Sequence, residues 1–224
     1  MTRSLDLEDL RLAIYHHLAD TGRAPVPAAL AAVFGVDEDE VDAGLAELHE
    51  ARHVVLRDGE VVLAHPFATI PLGFSVMGER TLWWGGCAWD SFALPHLLTD
   101  QDAVLVATTC PGCGAALAWT VGTAAPPDGD EVAHFLVPMA QVWDDVVHTC
   151  GHQRLFCAEA CVDRWLTATG NHRGDVIDLA TLWRLARGWY AGRLDRGYVR
   201  REPAEAHAYF REAGLQGAFW GLAD

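Results

Sequence analysis

The apolar pattern of this chain changes period partway along, and that change limits the folds open to it. Leu7, Leu10, Leu12, Ile14, Tyr15 and Leu18 recur at helical spacing until Asp20-Thr-Gly22 stops the run. Pro25 to Phe34 reads as a short second helix ending at Gly35, and Asp37 opens a third with Val41, Leu45 and Leu48 on one face. Strand-like runs follow. His53–Arg57 and Glu60–Ala64 flank Asp58-Gly59, a two-residue hairpin turn. Further strands are expected at Gly73–Met77, Thr81–Trp84, Ala103–Thr108, Ala115–Val121 and Glu131–Val137. Helices are expected at Cys87–Leu98, 139–147, 157–168, 179–194 and within 195–224, and Pro66–Leu72 reads as a linker. Hairpin-connected strands with interspersed helices predict an α+β fold. Its expected parts are a winged-helix-like helical module over 1–66, a domain with a mixed or antiparallel sheet and flanking helices over 67–195, and a C-terminal helical extension over 196–224.

Three helices and a hairpin suggest DNA binding, and charge argues against it. The 224 residues carry 31 acids against 16 bases, all of them arginine, for a formal charge of −15. Asp37, Glu38, Asp39, Glu40, Asp42, Glu47 and Glu50 lie in or beside the third helix, with no base before Arg52, and a groove-reading helix must approach phosphates. The module is therefore expected not to bind nucleic acid, and the acidic balance disfavours anionic membranes as well. Absence of lysine excludes Schiff-base chemistry and a Walker-type phosphate loop. Met1 to Leu10 does not read as a signal peptide and no apolar run approaches a membrane span, so the expected location is the cytoplasm. There the six cysteines are expected to be free thiols.

Those cysteines fall into local patterns. Gly85-Gly-Cys87-Ala-Trp-Asp90 stands where a strand gives way to a helix. A cysteine among the unpaired N–H groups of a first turn is favoured as thiolate, and Asp90, three residues on, projects from the same side. Thiolate and carboxyl together suit a soft metal and a proton transferred beside it. Ordinary capping by Asp90 and core packing by Cys87 would produce the same letters. Cys157 and Cys161, four apart on a helix, share a face, which suits a two-thiol site or a buried stripe. Cys110-Pro-Gly-Cys113-Gly114 has the spacing of half a zinc ribbon, with Cys150 and His148 or His152 as candidates for the remaining ligands. A hydrolase built on Cys157 and His152 has no local signature.

Taken in order, the winged-helix-like module, the aromatic strand into Cys87-Ala-Trp-Asp90-Ser-Phe-Ala-Leu-Pro95, Thr109-Cys110-Pro-Gly-Cys-Gly114 before a strand, and Leu155-Phe156-Cys157 resemble the organomercurial (alkylmercury) lyase family over about residues 5 to 195. The resemblance implies that Cys87 and Cys157 are the catalytic thiols, that Asp90 is the catalytic carboxylate, and that Cys110 is structural. It assigns nothing to Cys113, Cys150 and Cys161. It implies protonolysis of a carbon–mercury bond to a hydrocarbon and Hg(II), the product held by Cys87, Cys157 and Asp90. No resident cofactor is implied, only an exogenous thiol as reductant and mercury acceptor. Implied partners are the organomercurial substrate and a mercuric reductase that receives the metal. Trp83, Trp84 and Trp89 are the expected apolar wall of the site, and Cys110 with Cys113 the candidate structural zinc ligands. Trp83-Trp-Gly-Gly-Cys87 and the segment from Arg196 depart from the better-known members. The rival reading is a noncatalytic thiol protein for zinc, copper or mercury, or a metal-responsive regulator of the same descent.

Overall fold

A computed structural model describes residues 5–222 of the chain. Helices α1 (Leu7–Thr21), α2 (Pro27–Phe34) and α3 (Glu38–Glu50) open it. Their starts are set locally: the Asp6 and Asp37 carboxylates accept the N–H groups of Asp9 and Glu40, and Pro27 occupies a first-turn position with no N–H to satisfy. Leu10, Ile14 and Leu18 of α1 and Val41, Leu45 and Leu48 of α3 are buried, while the α3 acids Glu38, Asp39, Asp42 and Glu47 face solvent.

Strands β1 (Val55–Arg57) and β2 (Glu60–Ala64) pair across Asp58-Gly59 as expected. The segment read as a linker contains a strand, β3 (Phe67–Ala68), which pairs with β2 and with β5. Two residues are too few to display a period, yet both are buried and their backbone groups need partners. β4 (Phe74–Met77), β5 (Leu82–Gly85), α4 (Ala88–Leu97), β6 (Ala103–Thr109) and β7 (Ala116–Gly122) follow. One antiparallel sheet results, in the order β1-β2-β3-β5-β4-β6-β7. It runs unbroken across residue 66, so the hairpin of the N-terminal segment and the strands beyond share one surface.

The second half contains β8 (Val132–Phe135), a 3-10 turn at Met139–Gln141, α5 (Val146–Gly151), β9 (Gln153–Phe156), α6 (Glu159–Thr169), β10 (Asp175–Asp178), α7 (Leu179–Arg187) and α8 (Pro203–Ala213). A smaller antiparallel sheet has the order β10-β8-β9. The single helix expected over 139–147 is replaced by the 3-10 turn and α5, because Asp145 accepts the His148 N–H and starts a new helix. The helix expected over 179–194 stops at Arg187, with Gly188 as its C-cap, and Trp189 to Gly197 form turns.

α4 is the centre of the molecule. Every residue from Ala88 to Leu97 except His96 is buried, against the large sheet on one side and α7 on another. An all-round apolar helix has no stable place except between layers. The C-terminal segment is part of the same core: Phe210 stacks on Trp189, and Trp220 packs edge-on against Phe135.

A candidate two-thiol active site

β5 delivers the chain through Gly85-Gly86 to Cys87, whose extended backbone makes it the N-cap of α4, with its sulfur accepting the Asp90 N–H at 3.3 Å. The two side chains are thereby fixed by one turn of backbone. Gly86 is required by the close approach that follows, since a Cβ there would lie 2.3 Å from Asp90 Oδ2. Both residues line a cavity of about 400 Å³, bounded by Trp89, Trp143, Trp189 and Tyr190 among others.

The second thiol in this cavity is Cys150, near the end of α5. The Cys87 thiol, the Cys150 thiol and the Asp90 carboxyl line this one cavity. His65 Nε2 lies 3.3 Å from Cys150 Sγ, and ligand atoms of His65, Asp90 and Cys150 are mutually within 4.8 Å. All four residues are buried.

Burial sets the protonation of the group. Asp90, only 1% exposed, is pushed up to about 6 by desolvation, against the Tyr190 hydroxyl, the Cys87 thiol and the Arg193 charge, which favour the carboxylate. Tyr190 Oη donates to Asp90 Oδ1, while Oδ2 is buried with no hydrogen-bond partner. Burial also drives the Cys87 thiol well above its ordinary value, with its bond to Cys150 and the Asp90 charge acting in the same direction. The thiolate expected from the helix terminus is therefore not the resting form: the Asp90 N–H favours it, and desolvation outweighs that bond. For Cys150 the bond from Cys87 lowers the value, but burial and the Asp90 charge leave it raised. His65 is held down to about 3 by burial and the nearby Arg193 and Arg200 charges, and is neutral.

Arg193 anchors one wall. Its guanidinium donates to the His65 carbonyl at 2.8 Å and stands over the rings of Tyr15, Tyr190 and Tyr198 at 5.7, 5.1 and 5.0 Å. The Arg193 carbonyl accepts from buried Arg11 of α1 at 2.6 Å, which ties the N-terminal helices to the site.

Cys157 does not line this cavity, and the structure does not bring it together with Cys87. Gln153, at the start of β9, lines the cavity, and four residues of strand carry the chain about 13 Å further before Cys157. There its sulfur is 3.5 Å from Cys113 Sγ, in a group where Cys110, Cys113, Cys157 and Cys161 offer sulfurs all within 4.8 Å of one another. Cys110 and Cys113 are thus together as expected, but their companions are Cys157 and Cys161, whereas Cys150 belongs to the cavity. Trp83 and Trp84 are likewise misplaced as cavity walls. Trp83 Nε1 donates to the Leu18 and Ala19 carbonyls of α1, and Trp84 is exposed on β5.

Sequence reasoning offered Cys150 only as a candidate zinc ligand, and it passed over His65, Tyr190 and Arg193. A signal for Cys150 was present: Cys110-x-x-Cys113 and Cys157-x-x-x-Cys161 form two ligand-spaced pairs, which leaves Cys87 and Cys150 as the remainder. His65, Tyr190 and Arg193 have no motif of their own and reach the cavity only through the tertiary fold.

Two buried thiols and a protonatable carboxyl lining one largely apolar cavity have the chemistry that suits a soft metal. A family model described as MerB, alkylmercury lyase, matches residues 67–191, and the chain belongs to this family, whose reaction is cleavage of the carbon–mercury bond of organomercurials. Among solved structures, the mercury-bound form of MerB2 is similar with a TM-score of 0.61 at 17% identity, covering 80% of this chain and 87% of that one. None of the curated proteins matches. Among the described residues no helix is long and apolar enough to cross a membrane.

Proposed function

We propose that Cys87, Cys150 and Asp90 carry the carbon–mercury cleavage in this chain, with Tyr190 positioning the carboxyl. The observation that supports this reading is that the Cys87 and Cys150 thiols and the Asp90 carboxyl, all buried, line one cavity. Mercury(II) prefers sulfur, so a substrate R–Hg–X exchanges X for one cysteine sulfur, X leaving with the thiol proton. Cys150 is the first ligand in this scheme, and its thiol proton leaves with X. Cys87 then passes its proton to Asp90 and its sulfur joins the metal. Two sulfurs push electron density onto the metal-bound carbon until it is basic enough to protonate. Asp90 returns the proton to that carbon, acting first as general base and then as general acid, and R–H departs. Hg(II) remains bound to both sulfurs until an exogenous thiol exchanges it out, for delivery to a mercuric reductase. Trp89, Trp143 and Trp189 keep water from the carbon while the proton moves.

The test is release of benzene from phenylmercury with excess thiol. Cys87→Ser and Cys150→Ser are expected to abolish turnover, while folded Cys157→Ser retains it. An active Cys150→Ser enzyme would overturn the assignment, and equal loss in a folded Cys157→Ser protein would restore that residue to the site.

A further inference from the structure

The four cysteines outside the cavity form a set that carbon–mercury cleavage does not use. Cys110 and Cys113 sit on a tight turn between β6 and β7, where the Gly114 N–H donates to the Cys110 carbonyl at 2.9 Å and the Cys110 N–H to the Ala115 carbonyl at 2.8 Å. Cys157 follows β9 directly, and Cys161 lies in the first turn of α6. A turn and a helix start, far apart in sequence, thus present two sulfurs each to one point.

We infer that Cys110, Cys113, Cys157 and Cys161 are the ligands of a structural zinc ion. Their sulfurs lie mutually within 4.8 Å, and the Cys113–Cys157 separation is 3.5 Å. Tetrahedral zinc with Zn–S bonds of about 2.3 Å requires sulfurs about 3.8 Å apart, so the set closes on the ion with small side-chain movements. Arg164 donates to Cys161 Sγ at 2.9 Å and offsets part of the charge of four thiolates. Gly112 makes the approach possible: a Cβ there would lie 2.1 Å from the Cys161 carbonyl oxygen, so the turn and α6 are in closed contact. Four sulfurs leave no open ligand position, which marks a structural site and distinguishes it from the two-sulfur cavity. Hg(II) in the cavity and zinc in the cluster are independent of one another, and either assignment can fail alone.

The test is metal analysis of the full-length protein purified without added metal, followed by native mass spectrometry and replacement of zinc by cobalt(II). One zinc per chain is expected, and the cobalt form should show the sulfur-to-metal charge-transfer absorption of a tetrahedral four-thiolate site. Cys113→Ser, which changes an exposed ligand, should lose at least the roughly 10–100-fold in zinc affinity that even an outer-sphere partner is worth, whereas Cys150→Ser keeps full zinc. The inference is overturned by metal-free protein that takes up neither zinc nor cobalt, by disulfides among these cysteines in the native protein, by iron or copper in place of zinc, or by zinc that follows Cys150 rather than Cys113. Should Cys113→Ser fail to fold, the wild-type cobalt spectrum decides alone, since a site with two nitrogen or oxygen ligands lacks the four-thiolate intensity.

Discussion

Asp90 combines three properties that rarely coincide: complete burial, one oxygen bonded to Tyr190, and a second oxygen without a partner. Its value near 6 makes it a base above that pH and an acid that surrenders its proton readily. The free enzyme must hold Asp90 as carboxylate to accept the Cys87 proton, so kcat/KM for phenylmercury is expected to rise through an acid limb near pH 6. Tyr190→Phe removes a bond that favours the carboxylate and should move that limb to higher pH, a displacement that simple loss of packing would not produce. Stability follows the same titration with opposite benefit. The carboxyl is ordinary at 3.8 when unfolded and raised when folded, so the native state holds the extra proton between those values and loses stability as pH rises through them. Above pH 6 the buried charge costs about 3 kcal/mol, at 1.36 kcal/mol per unit. Asp90→Asn should therefore be inactive, yet more stable than the parent at pH 8 by up to that amount, an advantage absent in urea titrations at pH 4. At this scale Cys87 and Asp90 were legible because three residues of one helix start fix their relation. Cys150 was not, because its place in the cavity is decided by where α5 docks, while Phe156-Cys157 offered a local pattern whose cysteine the fold sets beside Cys113.

The elements that carry these residues differ in how plainly the sequence announces them. α1, α3 and the β1–β2 hairpin repeat an apolar period over several turns or carry Asp-Gly at the bend, and each forms where expected. β3 and β9 are two and four residues long, and their existence depends on neighbours: β3 on β2 and β5, β9 on β8. β9 matters most for function, since its length separates Gln153 at the cavity from Cys157 at the four-cysteine cluster. The β5–α4 junction shows how little freedom an active element has. Gly86→Ala would set a methyl 2.3 Å from Asp90 Oδ2, the carboxyl proposed to carry the proton. The expected outcome is a loss of phenylmercury turnover of at least tenfold, about 1.4 kcal/mol of transition-state stabilisation, in a protein whose far-ultraviolet circular dichroism is unchanged. Normal turnover in Gly86→Ala would show that the carboxyl works from another position.

Across the whole molecule, the cavity is assembled from both ends of the chain. Arg11 of α1 bonds the Arg193 carbonyl, Arg193 bonds the His65 carbonyl, and Phe210 and Trp220 of the C-terminal segment close the aromatic wall. The sequence division into module, domain and extension followed composition and resemblance, and it could not display this closure because none of the closing contacts joins near neighbours in sequence. The same compaction buries histidines in all parts of the fold. His53, His96 and His134 are held down to about 4 and His65 to about 3, in each case chiefly by desolvation of the charged ring. A histidine with a depressed native value takes up its proton more readily unfolded, so its contribution to stability is complete above the ordinary value of 6.5 and is lost as pH falls below it. At pH 5 the buried His65 alone accounts for about 2 kcal/mol, while His134 and the partly exposed His53 and His96 add smaller amounts. Asp90 works the other way between its unfolded and folded values and recovers part of that loss. Urea unfolding at pH 7 and pH 5 should accordingly give a lower midpoint at pH 5 with an unchanged m-value, and Asp90→Asn, which lacks the opposing titration, should show the larger drop of the two proteins. Equal midpoints at the two pH values in the parent protein would mean that these rings are not desolvated as the packing requires.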